Sequence, residues 1–319
     1  MIPALSGEAC SPLAAPSALT RALDSDLAFA FRSSPVAMGS ALVSLLMIGA
    51  ALLAPLITTQ DPFNPAALNL MDGMTAPGKV NEFTGNSFVF GSDPQGRDIY
   101  SAVLYGTRVS LLVAAASVVF SVGIGVFLGL MAGYLGGKVD AVIMRIADIQ
   151  LSFPAILIAL LVFGVARGII SPSKQEDATL ILLILAIGLS NWAQYARTVR
   201  GSTMVEKNKE YVQAARVIGR SSFVIMILHI LPNVMGPVTV IATINIALAV
   251  IEEATLSFLG VGMPPTQPSL GTLIRIGQQF LFSGEWWILF FPAAMLVILA
   301  LAINMLGDWL RDAMNPRLR

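Results

Sequence analysis

Between positions 36 and 57 the chain carries no charged residue, and apolar runs of similar length recur at 109–130, 141–165, 179–196, 235–251 and 288–306. About 20 apolar residues is the length a helix needs to cross the hydrocarbon core of a bilayer. At that depth no water satisfies the backbone, so helical segments must pair their own N–H and C=O groups. Composition agrees: 56% of the residues are hydrophobic and 12% are charged, a balance foreign to soluble domains. The expected fold is an all-α integral membrane protein with six transmembrane helices.

The polar intervals divide the rest of the chain. They give a tail at 1–35, an ordered segment at 58–108 rich in Asp, Asn, Gly and Pro, and a charged tail at 307–319. The five later spans form a core at 109–306, interrupted by a long polar loop at 197–234. A secretory leader would place basic residues before an apolar run within the first 30 residues, and that arrangement is absent. Trp286 and Trp287 mark a membrane interface before the sixth span. Basic residues set the orientation. Most of the Lys and Arg, including Arg197, Arg200, Lys207, Lys209, Arg216 and Arg220, fall on the side shared by both termini and the polar loop. The richer side is the cytoplasmic one.

Little catalytic chemistry is available. Cys10 is the only cysteine and His229 the only histidine, which excludes intrachain disulfides and multi-histidine or thiolate metal sites. Gly136-Gly137-Lys138-Val139 lacks the upstream Gly and the hydroxyl residue of a phosphate loop. Net charge is zero, so nothing points to nucleic acid. No catalytic residue, metal or cofactor is expected.

Gly125, Gly129 and Gly133 recur every fourth residue, a stripe of small residues that lets another helix approach closely. Arg145 and Asp148, at i and i+3 early in the third span, read as a structural charge pair rather than a proton relay.

Loop 197–234 contains the most distinctive pattern. Tyr211, Ala214, Ala215 and Ile218 fall at i, i+3, i+4 and i+7, one face of a short amphipathic helix beginning near Glu210. Gly219 breaks that helix, Ser221 or Ser222 caps a second one over 223–231, and Pro232 limits its continuation. The result is a helix–turn–helix elbow whose flat Ala-Ala face suits a groove on another protein. An Ala-Ala pair, a Gly four residues later and a Leu-Pro pair twelve residues beyond that resemble the EAA loop of ABC-importer permeases. Here these are Ala214, Ala215, Gly219, Leu231 and Pro232; the family's leading Glu is Gln213.

Further segments carry the resemblance into the dipeptide/oligopeptide branch. They are FGSDPQGRDIYSAVLYGTRVSL at 90–111, GYLGGKVDAVIMRIADIQLSFP at 133–154 and EEATLSFLGVGMPP at 252–265. Within the first, Asp93 is expected to cap a helix opening at Pro94, with Gly96-Arg97-Asp98 in its first turns and a local ion pair. Ala102 stands where the branch commonly has Arg, and His229 reads as a branch marker. The resemblance implies a type I ABC-importer permease architecture in the bacterial inner membrane. It implies pairing with a second, homologous permease, docking of two ATP-binding subunits on the elbows, and delivery of solute by an extracytoplasmic binding protein. The rival reading, a secondary transporter or channel, would require intramembrane ionisable residues or broken helices.

Overall fold

The computed structural model describes residues 30–58 and 60–314; Cys10, most of the 1–35 tail and the end of the 307–319 tail lie outside them. Among the described residues the fold is all α, with isolated bridges but no strand. The principal helices are α1 (Pro35–Leu52), α2 (Ile99–Leu135), α3 (Gly137–Leu151), α4 (Ala155–Ile169) and α5 (Gln175–Glu206). They continue with α6 (Glu210–Val217), α7 (Leu231–Phe258), α8 (Leu270–Phe280) and α9 (Trp287–Ala313). Five helices among the described residues are long and apolar enough to cross a membrane, and a sixth crossing results if the bent pair α3–α4 counts as one.

That bend is the first departure from expectation. The third span is not one rod: α3 and α4 meet at 101° around Ser152-Phe153-Pro154. Pro154 removes a backbone donor and biases Phe153 away from the helical region, so the helix stops there. The α3 arm is polar on one side and lies along α5. Its Asp140 receives a two-pronged pair from Arg200, and its Asp148 pairs with Arg197. The expected Arg145–Asp148 pair does not form. The lateral arginine on α5 takes the carboxylate instead, because the broken span lays α3 against that helix.

The α2–α5 pairing is the spine of the fold. A Cβ on Gly125 would sit 2.4 Å from Tyr195 Cβ, one on Gly129 2.6 Å from the Ala196 carbonyl oxygen, and one on Gly133 2.7 Å from Thr203 Cβ. Glycine is what lets the two backbones lie this close. Around the spine, α7 packs against both helices, α9 lies on α7, and α1 covers α9.

The segment from Gln60 to Asp98 is a knot of turns tied by side chains. The carboxylate of buried Asp72 accepts hydrogen bonds from Thr84 and Asn86. Trp287, expected at a membrane interface, is instead buried under this segment and donates to the Ser92 carbonyl at 3.2 Å. Asp98, not Asp93, is the N-cap of α2, accepting from the Tyr100 and Ser101 amides at 3.2 and 3.1 Å. Asp93 closes a turn, taking the Gln95 and Arg97 amides at 2.8 and 2.9 Å. Gly96, at φ +74°, prevents a helix from starting at Pro94. Buried Arg97 lies 4.0 Å from Asp93 and donates to the Pro265 carbonyl at 2.8 Å. Burial raises the Asp93 pKa and lowers that of Arg97.

Helix α8 lies in what the sequence presents as a proline-rich loop. Ser269 caps it, and Gly271 and Gly277 admit the backbones of Ala254 and Leu289.

Candidate functional site

The elbow occupies the end of the bundle opposite the Gln60–Asp98 segment. Helix α6 is only eight residues long, too short to hold its shape in isolation. Its stability comes from the core. Val212 and Ala215, one turn apart, are buried in a cluster with Leu130 of α2, Tyr195 and Val199 of α5, and Val234 and Val238 of α7. Polar contacts clamp the rim. The Tyr211 hydroxyl donates to Glu206 at 2.6 Å and accepts from Asn233 at 3.2 Å. Lys209 pairs with the other Glu206 oxygen at 2.7 Å, and Lys207 reaches the Gly133 carbonyl at 2.7 Å. The Arg216 guanidinium lies 5.2 Å from the centre of the Tyr134 ring. Burial, reinforced by the Glu206 carboxylate, pushes the Tyr211 hydroxyl up to about 12, so it stays a donor at any physiological pH.

These contacts correct the sequence-based face. Ala215 is 5% exposed and turned into the protein's own core; only Ala214 of the pair faces outward. The buried seam is Val212–Ala215, and Tyr211 sits at its edge. Ile218, assigned to the same face, is 77% exposed, and the neighbouring Val217 is 88% exposed. A helix face about 100° wide cannot include positions 211, 214, 215 and 218 together with Val212; burying Val212 rotates the seam toward Ala215. Glu210 and Gln213 are exposed, and the Gln213 amide turns back to the Asn208 carbonyl at 3.2 Å.

Gly219 closes α6 at φ +81° with open space where a Cβ would project. Its requirement is therefore conformational, not steric. The Arg220 amide reaches back to the Ala215 carbonyl at 3.1 Å, as in the helix-terminating motifs that need a left-handed residue. Ser221 then caps the second arm, accepting the Val224 amide at 3.4 Å.

The second arm is not a separate helix. A turn at Ser222–Val224 passes into a π-helical stretch, Ile225–Ile230, and then into α7 without a gap. Leu231 and Pro232 stand in the first turn of α7, where a missing N–H is tolerated. The wider π-helical turn takes up the misfit that Pro232 would otherwise cause. The elbow is thus rigidly continuous with a membrane-length helix. Its outer surface presents Val217 and Ile218 before the Gly219 turn and Phe223, 65% exposed, after it. Of these three only Ile218 was singled out from the sequence, as part of the amphipathic face; Val217 and Phe223 were not. The only hint was apolar residues placed out of phase with the seam. Three large apolar side chains flanking one rigid turn suit a partner surface better than water.

Residues 125–319, which contain the elbow, match the family described as "Binding-protein-dependent transport system inner membrane component". The chain is 34% identical to the di/tripeptide transport system permease protein DppC of Pseudomonas aeruginosa, over 91% of this chain and 90% of that protein. It is 35% identical to the dipeptide transport system permease protein DppC of Haemophilus influenzae, over 91% and 94%. Identity is 34% to the oligopeptide transport system permease protein OppC of Bacillus subtilis, over 92% and 90%. A glycine-spined bundle of membrane-length helices, an elbow continuous with one of them and a matching family over most of its length lead to one conclusion: the chain belongs to the inner-membrane components of binding-protein-dependent transport systems.

Proposed function

We propose that the chain is a permease subunit of an ATP-driven importer for di- or oligopeptides and that the elbow receives the motion of its ATPase. Family membership supports the transport role, and the relatives' names support peptide as the solute. The observation that carries the coupling role is the exposed trio Val217, Ile218 and Phe223 on a turn joined without a break to α7. A force applied there moves a helix through the bundle rather than a floppy loop. In this reading two ATP-binding subunits hydrolyse ATP, a second homologous permease completes the pathway, and an extracytoplasmic binding protein supplies solute. The basic excess around the elbow supports a cytoplasmic position for it and for both termini, with the Gln60–Asp98 segment outside.

Gly219→Val tests the coupling. The φ of +81° strains a β-branched residue by roughly 1–3 kcal/mol, while the open space around it spares the packing. In vesicles containing the full complex, solute-stimulated ATP hydrolysis and uptake should fall together, with permease assembly intact. Unimpaired coupled uptake would reduce the elbow to a structural loop.

A further inference from the structure

Two consecutive glutamates near the end of α7 have opposite environments. Glu253 is fully buried, with each oxygen accepting one serine hydroxyl, from Ser110 at 2.6 Å and Ser257 at 2.7 Å. Its role is to tie α7 to α2. Glu252 is half-buried, and one neutral group holds it: Asn191 of α5 donates to Oε2 at 2.8 Å. No lysine, arginine or histidine among the described residues reaches it, whereas Asp93, Asp140, Asp148 and Glu206 each have a cation.

A carboxylate on a membrane-length helix is costly against lipid and is tolerated where it faces protein or water. Glu252 caps a ladder of polar groups along the α5–α7 seam, where Asn245 donates to the Tyr195 hydroxyl at 2.9 Å. Ser117 and Ser121 of α2 and Asn191 of α5 line the small crevice where α2 meets that seam. Beside Glu252, Leu248 and Ile251 are exposed on the same helix. The acid is therefore anchored by Asn191, uncompensated in charge, and set at the edge of an outward-facing surface.

We propose that the α5–α7 seam borders the solute path and that Glu252 binds the α-ammonium group of the passing peptide, with Asn191 as its positioning residue. This deepens the peptide reading above and rests on it. A lone carboxylate held by one amide makes a charge-assisted contact with an ammonium group. It does not surround that group, and a transit site must bind weakly enough to release.

The test uses the assembled complex: both permeases, the ATPases and the binding protein saturated with a labelled dipeptide. Glu252→Gln should slow uptake about tenfold, the loss of one charge-assisted contact. Glu252→Asp, which keeps the charge one methylene further back, should lose less than Glu252→Gln. A carbodiimide, which joins a carboxylate to an amine in contact with it, should attach the dipeptide to Glu252 in the nucleotide-trapped complex. An N-acetylated dipeptide should give no such adduct. Unchanged uptake in Glu252→Gln overturns the proposal. So does cross-linking of Glu252 to a lysine of the second permease, or loss of that subunit on purification of Glu252→Gln, either of which would make the acid an assembly contact. If the unsubstituted complex takes up no dipeptide, the peptide reading falls as well.

Discussion

The α2–α5 spine and the elbow both rest on small residues, yet they use them differently. At the spine, Gly125, Gly129 and Gly133 are buried against Tyr195, Ala196 and Thr203 of the same chain, and nothing on that surface is left for a partner. At the elbow, Ala215 is spent in the same way, seating α6 on the core, while Val217, Ile218 and Phe223 remain outside. Small residues mark where backbones meet; the large apolar residues left exposed at the elbow are those proposed to meet a partner. Helix packing without a strong hydrophobic drive relies on close approach, whereas a protein surface that docks from water is read from exposed apolar groups.

Three substitutions separate these uses. Gly129→Leu should have the largest effect, because even its first carbon meets the Ala196 carbonyl at 2.6 Å. Overpacking against backbone costs roughly 3 kcal/mol or more, read as lost yield and a lowered melting temperature of the purified permease. Normal folding would mean that the spine yields more easily than its geometry indicates.

Ala215→Asp and Ile218→Asp should then diverge. The first places a carboxylate in the cluster around Val212 and Val234 and costs about 2–3 kcal/mol; faster proteolysis at the elbow would report it. The second projects into solvent and should leave stability within about 0.5 kcal/mol, while co-purification of the ATPase subunits falls. Equal behaviour of the two variants would erase the distinction between seam and surface.

Arg197→Ala should have the smallest effect. Its pair with Asp148 is more than half exposed on both sides, and such pairs contribute about 0–1 kcal/mol. A melting shift larger than that would show that α3 is held by this contact rather than by Asp140–Arg200 and packing.

Much of the site was legible in the residues, and the failures have identifiable causes. The Gly219 break and the Ser221 cap follow from local backbone chemistry, which acts over four residues and leaves its mark in the sequence. The inward turn of Ala215 was not legible because an eight-residue helix offers too few positions to fix its rotation; the core contact at Val212 decides it. Asp98 displaced Asp93 as the α2 cap because Gly96 adopts a positive φ within a turn network that reaches from Gln60 to Trp287. No window of neighbouring residues contains that network.

By itself the sequence determined the class of protein, the number of apolar runs and the place of the elbow. These follow from hydrophobic length, from glycine and proline geometry and from charge distribution, all local properties of the chain. Only the tertiary structure decided which carboxylate meets which arginine, that Trp287 lies under a turn network, that Pro232 is absorbed by a π-helical turn, and that Glu252 is held by Asn191 beside a fully buried Glu253. Each of those depends on groups tens of residues apart being brought together. Helix packing sets such encounters, and hydrophobic periodicity along one segment carries no record of them.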